Sequence, residues 1–449
     1  MIYDKFINQV FDYATQKGLK EFELFSLNNQ EFEVMVSKGE IERYKDAGSG
    51  GASFKVIKDG KCGYSFTEKY DSENVKKLID DALENLGIIE TDDRDYIFSG
   101  NGSYTEMADY QKSFEKEDAN KKINMAVDLE KRILEGDSRI KMVTNCMYMN
   151  FSSSVKLSNS RGLEVNHING GGGMYAMAVA KENESSKSGF TFSFVDNPEK
   201  LDIEKLASQA IEETVGKLGA KPVSSGKYRA IIRRDVFGSF LSLFVRMISA
   251  EAVQKGFSLF KDKLGQKIFS ENINISDLNY YKGSMFNTPF DSQGVPTHAK
   301  NLVKNGVLQT YLHSLKTANK DGVAPTGNAF RRSYKGKENI SSINLVLEKG
   351  NTDYDSLKTE LGNGIIITDV QGMHSGANPV SGDFSLGAEG YMIENGKITF
   401  PVEQITIAGN LIDLFSSITA IGNDVEVAPE FSQGIYTPSI LINEIEVAG

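Results

Sequence analysis

The chain has 449 residues, 40% of them hydrophobic and 25% charged, with a formal net charge of −11. Such a length supports two or three domains with separate cores, and the composition is that of a soluble globular protein. The negative balance argues against general binding to nucleic acid or an anionic membrane, because phosphate contacts need surplus Lys and Arg.

The N-terminal segment shows no basic n-region, apolar core or small-residue cleavage site. Ile2, Phe6, Val10 and Ala14 recur every four residues, which predicts an amphipathic helix packed on a domain. Gly51–Phe66 reads strand, turn, strand, with Asp59-Gly60 at the turn. A helix follows, capped by Asp71 or Ser72, with Val75, Leu78, Ile79, Ala82, Leu83 and Leu86 in one stripe. A long charged helix is expected over Asp109–Glu135, strands over Lys141–Leu157 and Met174–Val195, and a helix over Asp202–Leu218. Two cysteines, Cys62 and Cys146, suit a reducing compartment better than a disulfide scaffold.

A boundary is expected at Lys221–Gly226, because only Pro198 precedes it and seven prolines follow it. The second half opens with a strand at Tyr228–Ile232 and a helix over Asp235–Lys255. Phe237, Phe240, Leu241, Phe244 and Ile248 form its main stripe, widened by Val236, Leu243 and Met247, so it belongs in a core or an interface. Val236–Val245 is the longest uncharged helical run, too short to span a bilayer. Many short strands follow, with hairpin signals at Asn305-Gly306 and Asn395-Gly396. The expected class is α+β in two domains: residues 1–222 mixed with antiparallel hairpins, and residues 226–449 β-rich around one buried helix.

Zinc hydrolysis needs at least three His, Cys or carboxylate ligands and a base for the bound water. The four histidines, His167, His298, His313 and His374, show no short helical spacing. Two glycine runs, Gly48–Gly51 (with Ser49) and Gly170–Gly173, lack the strand-to-helix context and the Lys-Ser/Thr of a phosphate loop, and read as turns or flexible segments. From Lys300 to Lys337 there are eight Lys or Arg and one acid, Asp321; from Glu338 onward there are three Lys against sixteen acids. Two solvated faces explain this segregation, and Arg331-Arg332 is the best candidate for an anionic contact.

Several motifs then fall in one order. They are Gly51–Ser65; Thr288-Pro289-Phe290-Asp291-Ser292-Gln293-Gly294-Val295-Pro296-Thr297; Leu302–Leu308; Ser381-Gly382-Asp383-Phe384-Ser385; Ile407-Ala408-Gly409-Asn410-Leu411; and Ile421-Gly422-Asn423-Asp424. Together they resemble the TldD/PmbA family of bacterial peptidases over nearly the whole chain. In that family the TldD type carries zinc on an H-E-x-x-x-H helix. Counting back from Ser258-Leu259-Phe260 places the motif at Leu241, Ser242 and Arg246 here. Leu cannot ligate zinc, and a permanently cationic Arg repels it. The further Cys ligand has no counterpart in Ala428-Pro429-Glu430-Phe431-Ser432-Gln433-Gly434.

The resemblance therefore implies the PmbA or TldE type: a cytoplasmic subunit with no catalytic residue, metal or cofactor of its own. Zinc is expected in a TldD-like partner, with which it forms a heterodimer that cleaves flexible or unfolded peptides. The older label "modulator of DNA gyrase" names a genetic connection, and no nucleic-acid or membrane partner is expected. Such a subunit can wall a shared cavity or offer a strand edge to an extended peptide. Ser381, Gly382, Asp383, Ser385, Gly387 and Glu389 are the candidates for that edge, with a tight packing turn as the alternative. Two other readings stay open: a stand-alone homodimeric peptide-binding or regulatory protein, and an independent hydrolase with a site built from His298, His313 and His374.

Overall fold

The computed structural model describes residues 2–86, 94–100, 102–429 and 433–449. Its first half contains α1 (Ile2–Gln16), β1 (Glu21–Ser37), β2 (Glu40–Lys58), β3 (Lys61–Thr67), α2 (Ser72–Glu84), α3 (Ala119–Gly136), β4 (Ile140–Asn159), β5 (Glu164–Glu182), β6 (Ser185–Val195) and α4 (Ile203–Val215). The six strands form one antiparallel sheet in the order β3-β2-β1-β4-β5-β6. Alternation sends even-numbered residues of β1 to one face. There Phe22 and Leu24 pack under α1 and α2, while Phe32, Val34 and Val36 pack under α3 and α4. The odd-numbered residues face the second half of the chain, so the sheet is covered on both sides.

That half contains β7 (Gly226–Ile232), α5 (Arg234–Met247), α6 (Ala250–Gln254), β8 (Ile275–Leu278), β9 (Lys300–Lys304), β10 (Val307–Leu308), α7 (Leu315–Asp321), β11 (Ala329–Phe330), β12 (Asn339–Ile340), β13 (Asn344–Leu347) and α8 (Tyr354–Leu361). It continues with β14 (Gly364–Gln371), α9 (Met373–Gly376), β15 (Asp383–Glu394), β16 (Lys397–Asn410), α10 (Leu411–Ser416), β17 (Ile418–Ile421), β18 (Glu426–Val427), β19 (Gly434–Thr437) and β20 (Ile440–Ala448). One sheet runs β16-β15-β14-β7-β20-β17, and an added β16–β20 pairing closes it into a barrel. A second runs β10-β9-β8-β13-β19-β18. The chain is thus α+β with a β-rich C-terminal region. Phe237, Phe240, Leu241 and Phe244 of α5 enter the large core between these sheets, as the helix's apolar circumference requires.

The three expected hairpins form. Asp59-Gly60, Asn305-Gly306 and Asn395-Gly396 all have positive φ at both positions, the geometry that lets a two-residue turn follow the strand twist. Asp71 caps α2 through the Asn74 N–H, and Asp202 caps α4.

Other expectations need correction. The helix expected from Asp109 starts at Ala119, where Asp118 accepts the Asn120 and Lys121 N–H groups. Residues upstream are drawn to the sheet instead: the Tyr110 N–H donates to the Ile168 carbonyl, and Asp109 accepts the Ile168 N–H. The helix expected over Asp235–Lys255 breaks after Met247, because Ile248 and Ala250 exchange backbone hydrogen bonds with Leu312 around an extended Ser249. Neither glycine run is a turn: both lie inside strands, β2 and β5. A Cβ on Gly51 would lie 2.5 Å from the Tyr334 ring, and one on Gly171 would lie 2.4 Å from Met285. The bare backbone is where C-terminal side chains seat on the N-terminal sheet.

Candidate functional site

The odd-numbered face of the N-terminal sheet and the C-terminal half enclose a cavity of about 1180 Å³. Strand register builds its floor in three rows: Leu27, Val155 and His167; Asn29, Ser153 and Asn169; Glu31 and Phe151. Opposite stand Ser242, Val245, Arg246 and Ser249, spaced so that they share one side of α5 and the turn beyond it. The loops around Thr288–Ser292 and Phe330–Ile343 complete the wall.

His167 ties the two halves. Its Nδ1 lies 3.1 Å from Asp109 Oδ1, and its Nε2 lies 3.0 Å from the Asn287 carbonyl. Burial lowers its pKa, while the Asn287 carbonyl and Asp109 oppose that shift by favouring the cation. Asp291 accepts the backbone N–H groups of Gln293, Val295 and Ala329. Burial pushes its carboxyl up to about 7 against those donors. With both oxygens engaged by a loop it shapes, Asp291 serves the architecture of the wall and has no free face toward a water.

Arg331 is fixed just as firmly. Its guanidinium pairs with Glu338, lies 3.5 Å from Glu23, donates to Ser53 Oγ at 3.2 Å and sits over the Phe25 ring at 4.9 Å. Its side chain is 2% exposed, so its charge is spent inside the protein. The anionic-contact expectation for Arg331-Arg332 therefore falls to Arg332, which is exposed and lines the cavity.

Of the positions that the count back from Ser258 assigns to the zinc motif, Ser242 and Arg246 open on the cavity and Leu241 lies in the core at 0% exposed. Their chemistry does not fit a metal: a hydroxyl, a cation and a hydrocarbon supply no thiolate, imidazole or carboxylate. Of His298, His313 and His374, only His374 lines the cavity. No group of three or more His, Cys, Asp or Glu among the described residues is placed to hold a metal ion. Glu430, Phe431 and Ser432, from the segment compared with the Cys ligand, lie outside the described residues. Gln433 beside them lines the cavity and accepts from Ser342 Oγ at 2.7 Å.

Most of the run proposed as a strand edge is paired on both sides or at its turn. Asp383, Ser385, Gly387 and Glu389 lie in β15, which pairs with β16 along Asp383–Glu394 and with β14 along Gly387–Ile393. Beyond β14, an isolated Ala377–Phe384 bridge meets the open side at one residue. Ser381-Gly382 forms the turn entering the strand, with Gly382 at φ 80° against Leu259. This run packs the barrel, and the cavity floor lies elsewhere. The floor residues were missed because they come from three strands whose neighbours only the register reveals. A hint was present in Phe22–Leu27, where Leu24-Phe25 and Leu27 place apolar side chains on both faces of one strand.

Comparison with known proteins agrees with this architecture. The family profiles of the PmbA/TldA metallopeptidase match in chain order: domain 1 at residues 22–86, the central domain at 112–218 and the C-terminal domain at 225–449. A solved structure of a proposed modulator of a DNA gyrase from Thermotoga maritima is 38% identical, with a TM-score of 0.91 over 99% of this chain and 100% of that one. TldE from Thermococcus kodakarensis shares the fold at a TM-score of 0.91 and 23% identity, over 99% of this chain and 100% of its own. A metalloprotease PmbA homolog from Haemophilus influenzae is 29% identical, covering 74% of this chain and 70% of that protein. This chain belongs to the PmbA/TldD metallopeptidase family. No helix among the described residues is long and apolar enough to cross a membrane.

Proposed function

We propose that this chain is the non-catalytic, TldE-like subunit of a TldD-type peptidase acting on flexible or unfolded peptides in the cytoplasm. The observation that carries the reading is the composition of α5 at the cavity: Ser242 and Arg246 line it, Leu241 is turned into the core, and the helix offers the cavity no imidazole, thiolate or carboxylate. In this reading the zinc and the base that activates its water belong to an H-E-x-x-x-H partner. This chain contributes a preformed interdomain cavity whose mixture of apolar and small polar groups (Leu27, Phe151, Asn29, Ser153) suits an extended peptide of variable sequence.

The test is reconstitution. An unstructured peptide is incubated with this chain, with an H-E-x-x-x-H family member, and with both. Cleavage that requires the second protein and rises when both are present supports the proposal. Efficient cleavage by this chain alone, unaffected by chelator, sinks it.

A further inference from the structure

We infer that the interdomain cavity is a carboxylate-reading site in which Arg246 and Arg332 hold an acidic group of a bound peptide. The inference rests on the reading that the cavity receives peptide, and adds what part of the peptide this chain recognises.

The argument is one of charge left over. Both arginines line the cavity and both are exposed. Neither forms an ion pair with a described residue, whereas the buried guanidinium of the neighbouring Arg331 pairs with Glu338, lies 3.5 Å from Glu23 and donates to Ser53 Oγ. The acidic groups on the same wall are already answered: Glu31 pairs with Lys45, Glu251 with Lys255 at 2.5 Å, and Asp291 accepts three backbone N–H groups. Apart from His167 and His374, the remaining lining is apolar or carries uncharged polar groups, including Ser242, Ser249, Ser292 and Ser341. A protein of net charge −11 thus keeps two guanidinium groups, without an ion-pair partner among the described residues, on one concave, partly apolar space. Low-dielectric walls focus such a field, and a guanidinium offers a planar fork that fits a carboxylate with two parallel hydrogen bonds.

A peptide offers carboxylate chemistry at its C-terminus and on Asp or Glu side chains. Calorimetric titration of this chain with three unstructured peptides distinguishes them. One has a free C-terminus and no acidic side chain, one is amidated and carries Glu, and one is amidated and neutral. The expected result is binding of one or both carboxylate-bearing peptides about tenfold or more tighter than the neutral one, the ratio that a single charge-assisted hydrogen bond supplies. The preference weakens as salt rises and disappears in the Arg246→Gln, Arg332→Gln double variant, whose circular dichroism remains that of the parent. Preference for the free C-terminus alone assigns the site to the terminal carboxylate; preference for both assigns it to carboxylates generally. Equal binding of all three peptides, retention of the preference in the double variant, or no binding of any peptide overturns the inference. Reconstituted cleavage that treats all three peptides alike leaves the proposed function standing while removing this one.

Discussion

Replacing Arg331 by Ala tests how the two halves of the chain are joined. The side chain crosses from the C-terminal half to the odd-numbered face of the N-terminal sheet. There it meets Glu23, Phe25 and Ser53, with the Tyr64 ring centroid 5.7 Å away. Lys55 is a second buried cation acting on Glu23 and Glu338, and it donates to the Tyr96 carbonyl at 3.1 Å. Removing one partner of a buried ion pair strands the other, at a cost of about 3–5 kcal/mol. That exceeds the ~0–1 kcal/mol of an exposed pair because neither partner can turn to water.

The cost should depend on pH, with a sign fixed by the carboxylates. Although burial acts to raise it, Arg331 and then Lys55 hold the Glu338 carboxyl down at about 2. Its stabilisation is therefore complete above the unfolded value near 4.5 and is lost as pH falls toward 2. Burial pushes Glu23 up to about 7, so its charging makes the native state less stable as pH rises from about 4.5 to about 7. Without Arg331 both groups lose an attraction that favours the anion, and both protonate more readily. Stranded carboxyls are cheaper neutral than charged, so the loss relative to the parent should be larger at pH 8 than at pH 5. Denaturant unfolding followed by circular dichroism at both values measures it. A loss under about 1 kcal/mol, the range of a surface pair, or a loss larger at pH 5, would refute the reasoning.

Two more outcomes follow from packing and burial. Phe244→Ala removes a fully buried ring that meets Phe260 and Phe269 at 5.4 Å each, and should cost about 3–5 kcal/mol in the same assay; a cost near zero would mean the core closes around the gap. Burial pushes the Cys62 thiol up to about 11 and Cys146 up to about 12, so neither should react with a disulfide reagent at pH 8 until the chain unfolds. Rapid native labelling of Cys146 would contradict its position under α3.

What the sequence disclosed and what it hid divide along a physical line. Features with local causes were legible. Asp59-Gly60, Asn305-Gly306 and Asn395-Gly396 turn because few other pairs tolerate positive φ twice, and the stripe of α5 announces a buried helix. Features caused by distant chain segments were not. Gly170–Gly173 resembles a loop until Tyr110, Met285 and Phe114 are seen pressed against it. The basic block from Lys300 looked like a solvated face, yet Lys300 is buried 3.2 Å from Asp277 and Arg331 lies between the two halves of the chain. The cavity itself was half visible. Ser242 and Arg246 were singled out through the family motif, whereas Asn29, Ser153 and Asn169 become neighbours only through a register spanning more than a hundred residues.

The central claim is that the zinc of this peptidase system is not carried by this chain. Elemental mass spectrometry of the purified, untagged protein after dialysis against zinc-containing and then zinc-free buffer tests it directly. The account predicts a zinc-to-chain ratio near zero for this chain alone, and a retained ion only when an H-E-x-x-x-H partner is copurified. A stoichiometric zinc held by this chain alone would contradict it, and would mean that ligands outside Leu241, Ser242 and Arg246 form the metal site.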